Sequence, residues 1–184
     1  MMDQKKIQEL ISRSQQEDAA AFSLLVSTFQ PLVFRLAFRL LCDEDEAKDM
    51  VQETFVKVWL ALGKYNGECR FSTWIYKITC NTCYDRLRSL YHSPLDNEAD
   101  YSVSVNISSD DNVELAVVNK QLRELILRYT DELSPRQRLI FTLRDIEELD
   151  VPEVQTITGL SAGIIKTTLY LARKNIRNKM NQID

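Results

Sequence analysis

Glycine and proline are scarce, four of each in 184 residues, and His92 is the single histidine. So few turn formers argue against a sheet of many tight hairpins and favour long helices. No glycine-rich phosphate loop is present, and no nucleophile has a plausible base, so an enzyme is not expected. The most apolar stretch, Pro31 to Cys42, is interrupted by Arg35 and Arg39 and is too short for a membrane span. Met1 to Gln8 holds no apolar core of signal-peptide length, so a cytoplasmic protein without membrane insertion is expected. Cysteine is limited to Cys42, Cys69, Cys80 and Cys83. Cys80 and Cys83 make a C-x-x-C, but inside a helical pattern and without a second pair at zinc-ribbon spacing. Partly buried thiols are therefore expected, with no metal and no cofactor.

What is present fits a soluble chain of one medium domain or two small ones, with 45% hydrophobic and 27% charged residues. The formal charge of −4 argues against a nucleic-acid partner only if it is evenly spread. It is not. Tyr91 to Asn112 holds Asp96, Glu98, Asp100, Asp110 and Asp111 and no lysine or arginine, so the two flanks together are near neutral. Low hydrophobicity with one sign of charge predicts a flexible acidic linker over 91–112. The expected fold is all-α: a helical domain at 1–90 and a second at 113–184, the latter containing a helix-turn-helix.

In the first domain, a short helix over 3–15 turns Ile7, Leu10 and Ile11 inward. A second, over 18–28, presents Phe22, Leu25, Val26 and Phe29, and a third is expected to begin after Pro31, carrying Val33, Leu36, Ala37, Leu40 and Leu41. Asp43 and Glu46 have capping-box spacing ahead of a helix over 44–62 that buries Ala47, Val51, Phe55, Val58 and Leu62. Asp49, Gln52 and Glu53 form a polar patch elsewhere on that helix, suited either to plain solvation or to docking a basic partner helix.

Lys64 to Arg88 follows. A loop containing Asn66 and Gly67 leads into a helix that sets Phe71, Trp74, Ile75 and Ile78 on a core side. Arg70, Lys77, Asn81, Tyr84 and Arg88 fall on another. Cations neutralise phosphates, an amide bonds a base edge, and a phenol stacks on an unpaired base. A solvated amphipathic face has the same outline, so this helix alone does not decide between the two.

Past the linker, Leu115, Val118, Leu122 and Leu125 recur at helical spacing. Ser134-Pro135 opens a helix with Leu139, Ile140, Leu143 and Ile146 inward, and Asp150 caps a short one with Val154 and Ile157 inward. Thr158-Gly159-Leu160 is a turn, and Ser161 caps a last helix whose inner side is Ile165, Leu169, Ala172, Ile176 and Met180. This is the outline of a helix-turn-helix. Ser161, Ala162, Gly163, Lys166 and Thr167 would lie nearest base edges, with Tyr170, Arg173, Lys174 and Arg177 along the same cationic side and the last three closer to phosphate.

Two helical modules joined by an acidic segment, each with a cationic helix face, resemble the extracytoplasmic-function (ECF) sigma factors of the sigma-70 family. Ala47-Lys48-Asp49-Met50-Val51-Gln52-Glu53-Thr54-Phe55 with Val58-Trp59 looks like the family's polymerase-docking stretch. Phe71-Ser72-Thr73-Trp74-Ile75-Tyr76, Asn81 and Asp85-Arg86-Leu87-Arg88 look like its minus-ten melting helix, and Leu133-Ser134-Pro135-Arg136-Gln137-Arg138 with Gly159-Leu160-Ser161, Lys166 and Ala172-Arg173 like its minus-thirty-five domain. The resemblance implies a non-catalytic RNA polymerase subunit, monomeric when free, whose partners are core polymerase (clamp-helix coiled coil and flap), promoter DNA and an anti-sigma factor. It implies that Asp49, Gln52 and Glu53 anchor to core, and that the loop from Lys64 to Arg70, with Asn66, holds a flipped base. Lys77, Asn81, Tyr84 and Arg88 would follow the separated strand. Departures from the family pattern are Cys80 and Tyr84 in the melting helix, Gln155 and Thr158 in the helix-turn-helix, and Thr168 and Leu171 where arginine is common.

The rivals are a helix-turn-helix regulator that binds duplex without polymerase, and a helical adaptor or metal sensor using Cys80 and Cys83. The first requires specific duplex binding by a purified homodimer, and the second requires stoichiometric zinc.

Overall fold

A computed structural model describes residues 3–91, 129–130 and 133–183. Of the linker expected over 91–112 only Tyr91 is described, and it is the last residue of a helix; the rest, and the helix expected around Leu115 to Leu125, lie outside the described residues.

Caps set the helix starts. Asp3 accepts from the Lys5 amide at the head of α1 (Gln4–Ser14). Asp18 accepts from the Ala21 amide at 3.0 Å and from the Arg13 guanidinium at 2.7 and 2.9 Å, opening α2 (Ala19–Leu41). The Ala21 amide first, then Arg13, holds the Asp18 carboxyl below its usual range. α2 corrects the expectation of two helices broken at Pro31, because it runs through that proline for 23 residues. Ala21, Leu25, Phe29, Val33, Leu36 and Leu40 form one buried stripe across the site, while Ser27 and Pro31 are exposed. The carbonyl that loses its donor is thus on the water side, where hydration replaces the missing bond. By length and composition α2 is long and apolar enough to cross a membrane. Its inner stripe is instead packed against α1, α3 and α4.

Asp43 Oδ1 accepts from the Asp45 and Glu46 amides, each at 3.0 Å, starting α3 (Glu44–Ala61). The Glu46 carboxylate bonds Arg86 of the next helix at 2.6 Å, a tie across helices in place of the local return expected from the capping-box spacing. A 3-10 turn at Leu62–Lys64 and a loop lead to α4 (Phe71–Tyr91). Leu10, Leu25, Val33, Val58, Leu62 and Ile75 centre this core.

In the C-terminal module, Ser134 and Gln137 form a reciprocal capping box for α5 (Pro135–Phe141), which continues as a π turn over Thr142–Ile146. Asp150 and Glu153 cap α6 (Val151–Thr158) in the same way. α6 ends on Gly159 at φ 72°, the left-handed conformation that glycine adopts without strain. α7 (Ala162–Ile183) follows, and its Ile164 amide reaches Ser161 Oγ at 3.4 Å. Ile165, Leu169 and Ala172 are buried as expected and Ile176 is half-buried, but Met180 is 46% exposed.

The two modules share a core. Leu36, Leu40, Cys80, Cys83 and Leu87 pack with Leu139, Ile140, Leu143, Val154 and Ile157. α4 thereby carries both α5 and α6 on one flank.

Candidate functional site

Asp49, Gln52 and Glu53 are all exposed on α3. Glu53 pairs with Lys57 at 2.7 Å, and Lys57 also donates to Thr82 Oγ1 at 3.2 Å, so one edge of the patch is braced against α4. At about 100° per residue the same face continues to Val56 and Leu60. These are 59% and 75% exposed. The sequence reading missed both; their signal was an apolar pair outside the spacing of the buried stripe. The face is acidic at its N-terminal end and apolar at the other.

Between the 3-10 turn and α4, the loop is held in shape by its own groups. Tyr65 Oη donates to the Cys69 carbonyl at 2.7 Å, and Asn66 Oδ1 accepts from the Glu68 amide at 3.2 Å. Gln15 reaches over from α1 to the carbonyls of Leu62 (3.0 Å) and Tyr65 (2.9 Å). Tyr65, Phe71 and Trp74 pack ring against ring beneath it. A cavity of about 290 Å³ lies between this loop and α1, lined by Ile7, Gln8 and Ile11 on one side and Gly67 to Phe71 on the other. Arg70, which lines it, is exposed, as are Lys64 and Asn66 earlier in the chain, outside its lining.

Along α4, Lys77, Asn81 and Arg88 are exposed in line with Arg70. Tyr84 is half-buried, its ring against the core shared by the two modules. The structure therefore brings the cations and the amide of the expected stripe together, and sets the phenol at the edge of the C-terminal module. Tyr76 and Cys80 lie on that covered flank.

On α7, Ser161, Gly163, Lys166, Thr167, Tyr170, Lys174 and Arg177 are exposed, and Ala162 is half-buried. Arg173 is held by Asp145 through two bonds of 2.6 and 2.8 Å. Its charge is therefore shared with that carboxylate.

Cys42, Cys80 and Cys83 are buried thiols and Cys69 is half-buried, with no disulfide among them. Burial pushes the Cys80 thiol well up and Cys83 to about 12, so both stay protonated and poor metal ligands. Among the described residues no cluster of three or more His, Cys, Asp or Glu could hold a metal ion.

Among the described residues the fold is all-helical, with a helix-turn-helix ending in α7 and a row of exposed cations along α4, the outline of a DNA-binding transcription protein in class. Residues 25–92 match the family Sigma-70 region 2, and residues 123–176 match Sigma-70, region 4. The chain is 30% identical to the ECF RNA polymerase sigma-E factor of Escherichia coli (strain K12) over 189 residues, covering 100% of this chain and 98% of that protein. It is 29% identical to the RNA polymerase sigma-H factor of Pseudomonas aeruginosa, over 96% of this chain and 94% of that one. The solved structure of CnrH in complex with the cytosolic domain of CnrY has the same fold, with a TM-score of 0.63 at 22% identity, covering 99% of this chain and 100% of CnrH. The chain belongs to the ECF sigma factors of the sigma-70 family: it is an RNA polymerase sigma factor, with no catalysis of its own. Members of this family bind core polymerase and promoter DNA.

Proposed function

We propose that this sigma factor divides its work among three surfaces. The α3 face docks on the clamp-helix coiled coil of core polymerase: Asp49, Gln52 and Glu53 meet its cations, and Val56 and Leu60 its apolar stems. The cavity beside the 65–70 loop receives a base flipped from the non-template strand, with Arg70 in its lining and Lys64 and Asn66 in the adjoining chain. Lys77, Asn81 and Arg88 track that strand, and Tyr84 joins them when the C-terminal module moves off its ring. α7 enters the major groove upstream at the minus-thirty-five element through Ser161, Ala162, Gly163, Lys166 and Thr167, with Tyr170, Arg173, Lys174 and Arg177 toward the backbone, while the module rests on the polymerase flap.

The observation that carries this reading is the cavity at the head of α4, continuous with an exposed row of two cations and an amide. Unstacking a base costs a few kcal/mol. Stacking worth about 1–3 kcal/mol per base, with phosphate contacts, offsets it. Five phosphate contacts give a salt slope of only about −4 to −5, so the free monomer binds DNA weakly and polymerase supplies the rest by holding both modules on one molecule. An anti-sigma factor that covers these faces fits the likeness to CnrH, which was solved with CnrY.

Run-off transcription with purified core polymerase on a genomic library, followed by start-site mapping, tests the reading. Discrete starts sharing two spaced elements are expected. Initiation nowhere, or specific duplex binding by a homodimer without core, refutes it in favour of a stand-alone regulator.

A further inference from the structure

We propose that α7 reads the upstream duplex chiefly through thymine C5-methyl groups, by apolar contact from Ile164, Thr167 and Leu171. This rests on the placement of α7 in the major groove argued above and concerns which bases it selects there.

The outward half of α7 is divided lengthwise. With Ile165, Leu169 and Ala172 inward, about 100° per residue puts Lys166, Arg173 and Arg177 along one edge and Ile164, Thr168 and Leu171 along the other. Ile164 is 44% exposed and Leu171 42%, although both flank the helix's most outward turn. A hollow of about 400 Å³ opens on this edge among Ser161, Gly163, Ile164, Thr167 and Thr168. Gly163 leaves it open, since nothing lies within 4 Å of where a Cβ would stand.

Base-edge chemistry limits what such a surface selects. Guanine is read best by a bidentate arginine or lysine, adenine by asparagine or glutamine, and the thymine methyl by apolar contact. From Ser161 to Lys174 there is no Asn or Gln, and the one arginine is the Arg173 tied to Asp145. Lys166 stands on the opposite edge from the hollow. The base-facing groups left on the hollow's side are methyl and methylene, with the Thr167 and Thr168 hydroxyls between them. The occupant is DNA rather than an apolar protein surface because the strip is narrow and its crest and far edge carry Lys174, Lys166 and Arg177, a charge pattern complementary to phosphates on either side of a groove.

The test uses the full chain bound to core polymerase. A promoter pool randomised upstream of the minus-ten element is selected for binding, and selected duplexes are remade with deoxyuridine for thymidine at upstream positions. Thymine should be enriched, and each lost methyl should weaken binding about fourfold. Ile164→Ala and Leu171→Ala, both at exposed positions, should flatten that sensitivity and leave minus-ten selection intact, while Leu171→Arg should shift selection toward guanine. Equal affinity of the uridine duplex, or a selected element without thymine, overturns the proposal. So does a Leu171→Ala defect in association with core instead of in base discrimination, which would make the strip a protein contact. An absence of any upstream selection would instead remove α7 from the groove, which is failure of the underlying reading.

Discussion

Tyr76 on α4 donates its phenol to Glu147 Oε2 at 2.6 Å, and the other carboxylate oxygen of Glu147 pairs with Arg39 of α2. One acid at the end of the π turn thus ties the C-terminal module to two helices of the N-terminal one. The Glu147 side chain is 7% exposed and that of Arg39 21%. Removing one member of a pair this dry leaves a charge without its counter-ion, which costs about 3 kcal/mol or more. Glu147→Ala should therefore loosen the docking by an amount of that order. Fluorescence energy transfer between dyes on exposed positions of α3 and α7 checks it. An unchanged distance distribution would mean the apolar contacts hold the modules together unaided.

Reversing both acids on α3 (Asp49→Lys with Glu53→Lys) should weaken association with core polymerase more than about a hundredfold, since like charges brought together cost several kcal/mol. The fold should survive, because both residues are exposed. Leu60→Ala, at a position 75% exposed, should cost about tenfold through lost apolar contact alone. Co-purification and a titration against core distinguish these from misfolding, with circular dichroism as the control. Unchanged association of the doubly reversed variant would move the docking surface elsewhere.

Much of this was legible in the residues because caps and helical periodicity are local. Asp43, Ser134, Asp150 and Gly159 stand where their chemistry ends or begins a helix, and the stripe from Ala47 to Leu62 is buried as its spacing requires. Pro31 misled because a proline reads as a helix start, whereas the long-range burial of Phe29 and Val33 on either side of it carries the helix through. The docking of the modules was not legible. Glu147 looks like one more surface acid until Arg39 and Tyr76, both far away in sequence, arrive beside it. Val56 and Leu60 left only the signal of an apolar pair off the core spacing, since such residues have no partner within their own helix to reveal their role.

Lys77→Ala combined with Arg88→Ala removes two exposed cations from α4 without touching its buried side. If they track the separated strand, open-complex formation should fall while closed-complex binding changes little. The salt slope of open-complex stability should also drop by roughly 1 to 2. Potassium permanganate footprinting reads the opened bases, and gel retardation on duplex reads the closed complex. Equal losses at both stages would assign these residues to duplex attraction rather than strand capture.

The Tyr76 phenol also gives the docking a pH dependence with a definite sign. Burial first, and then its bond to the Glu147 carboxylate, raises its ionisation above the ordinary value of 10.0; Arg35 acts weakly in the opposite direction. With the modules apart the phenol is more nearly ordinary and loses its proton at lower pH than when docked. Above 10.0 the docked form therefore binds more protons than the separated one, and its stability falls as pH rises. Below 10.0 the contribution is fully present and flat. The energy-transfer signal of the wild-type chain should accordingly decline through the range just above pH 10. Tyr76→Phe lacks the titrating group, so it should start from a weaker docking and show less of that decline, while every other alkaline effect is common to both proteins. Parallel curves for the two proteins would detach the alkaline loss from Tyr76.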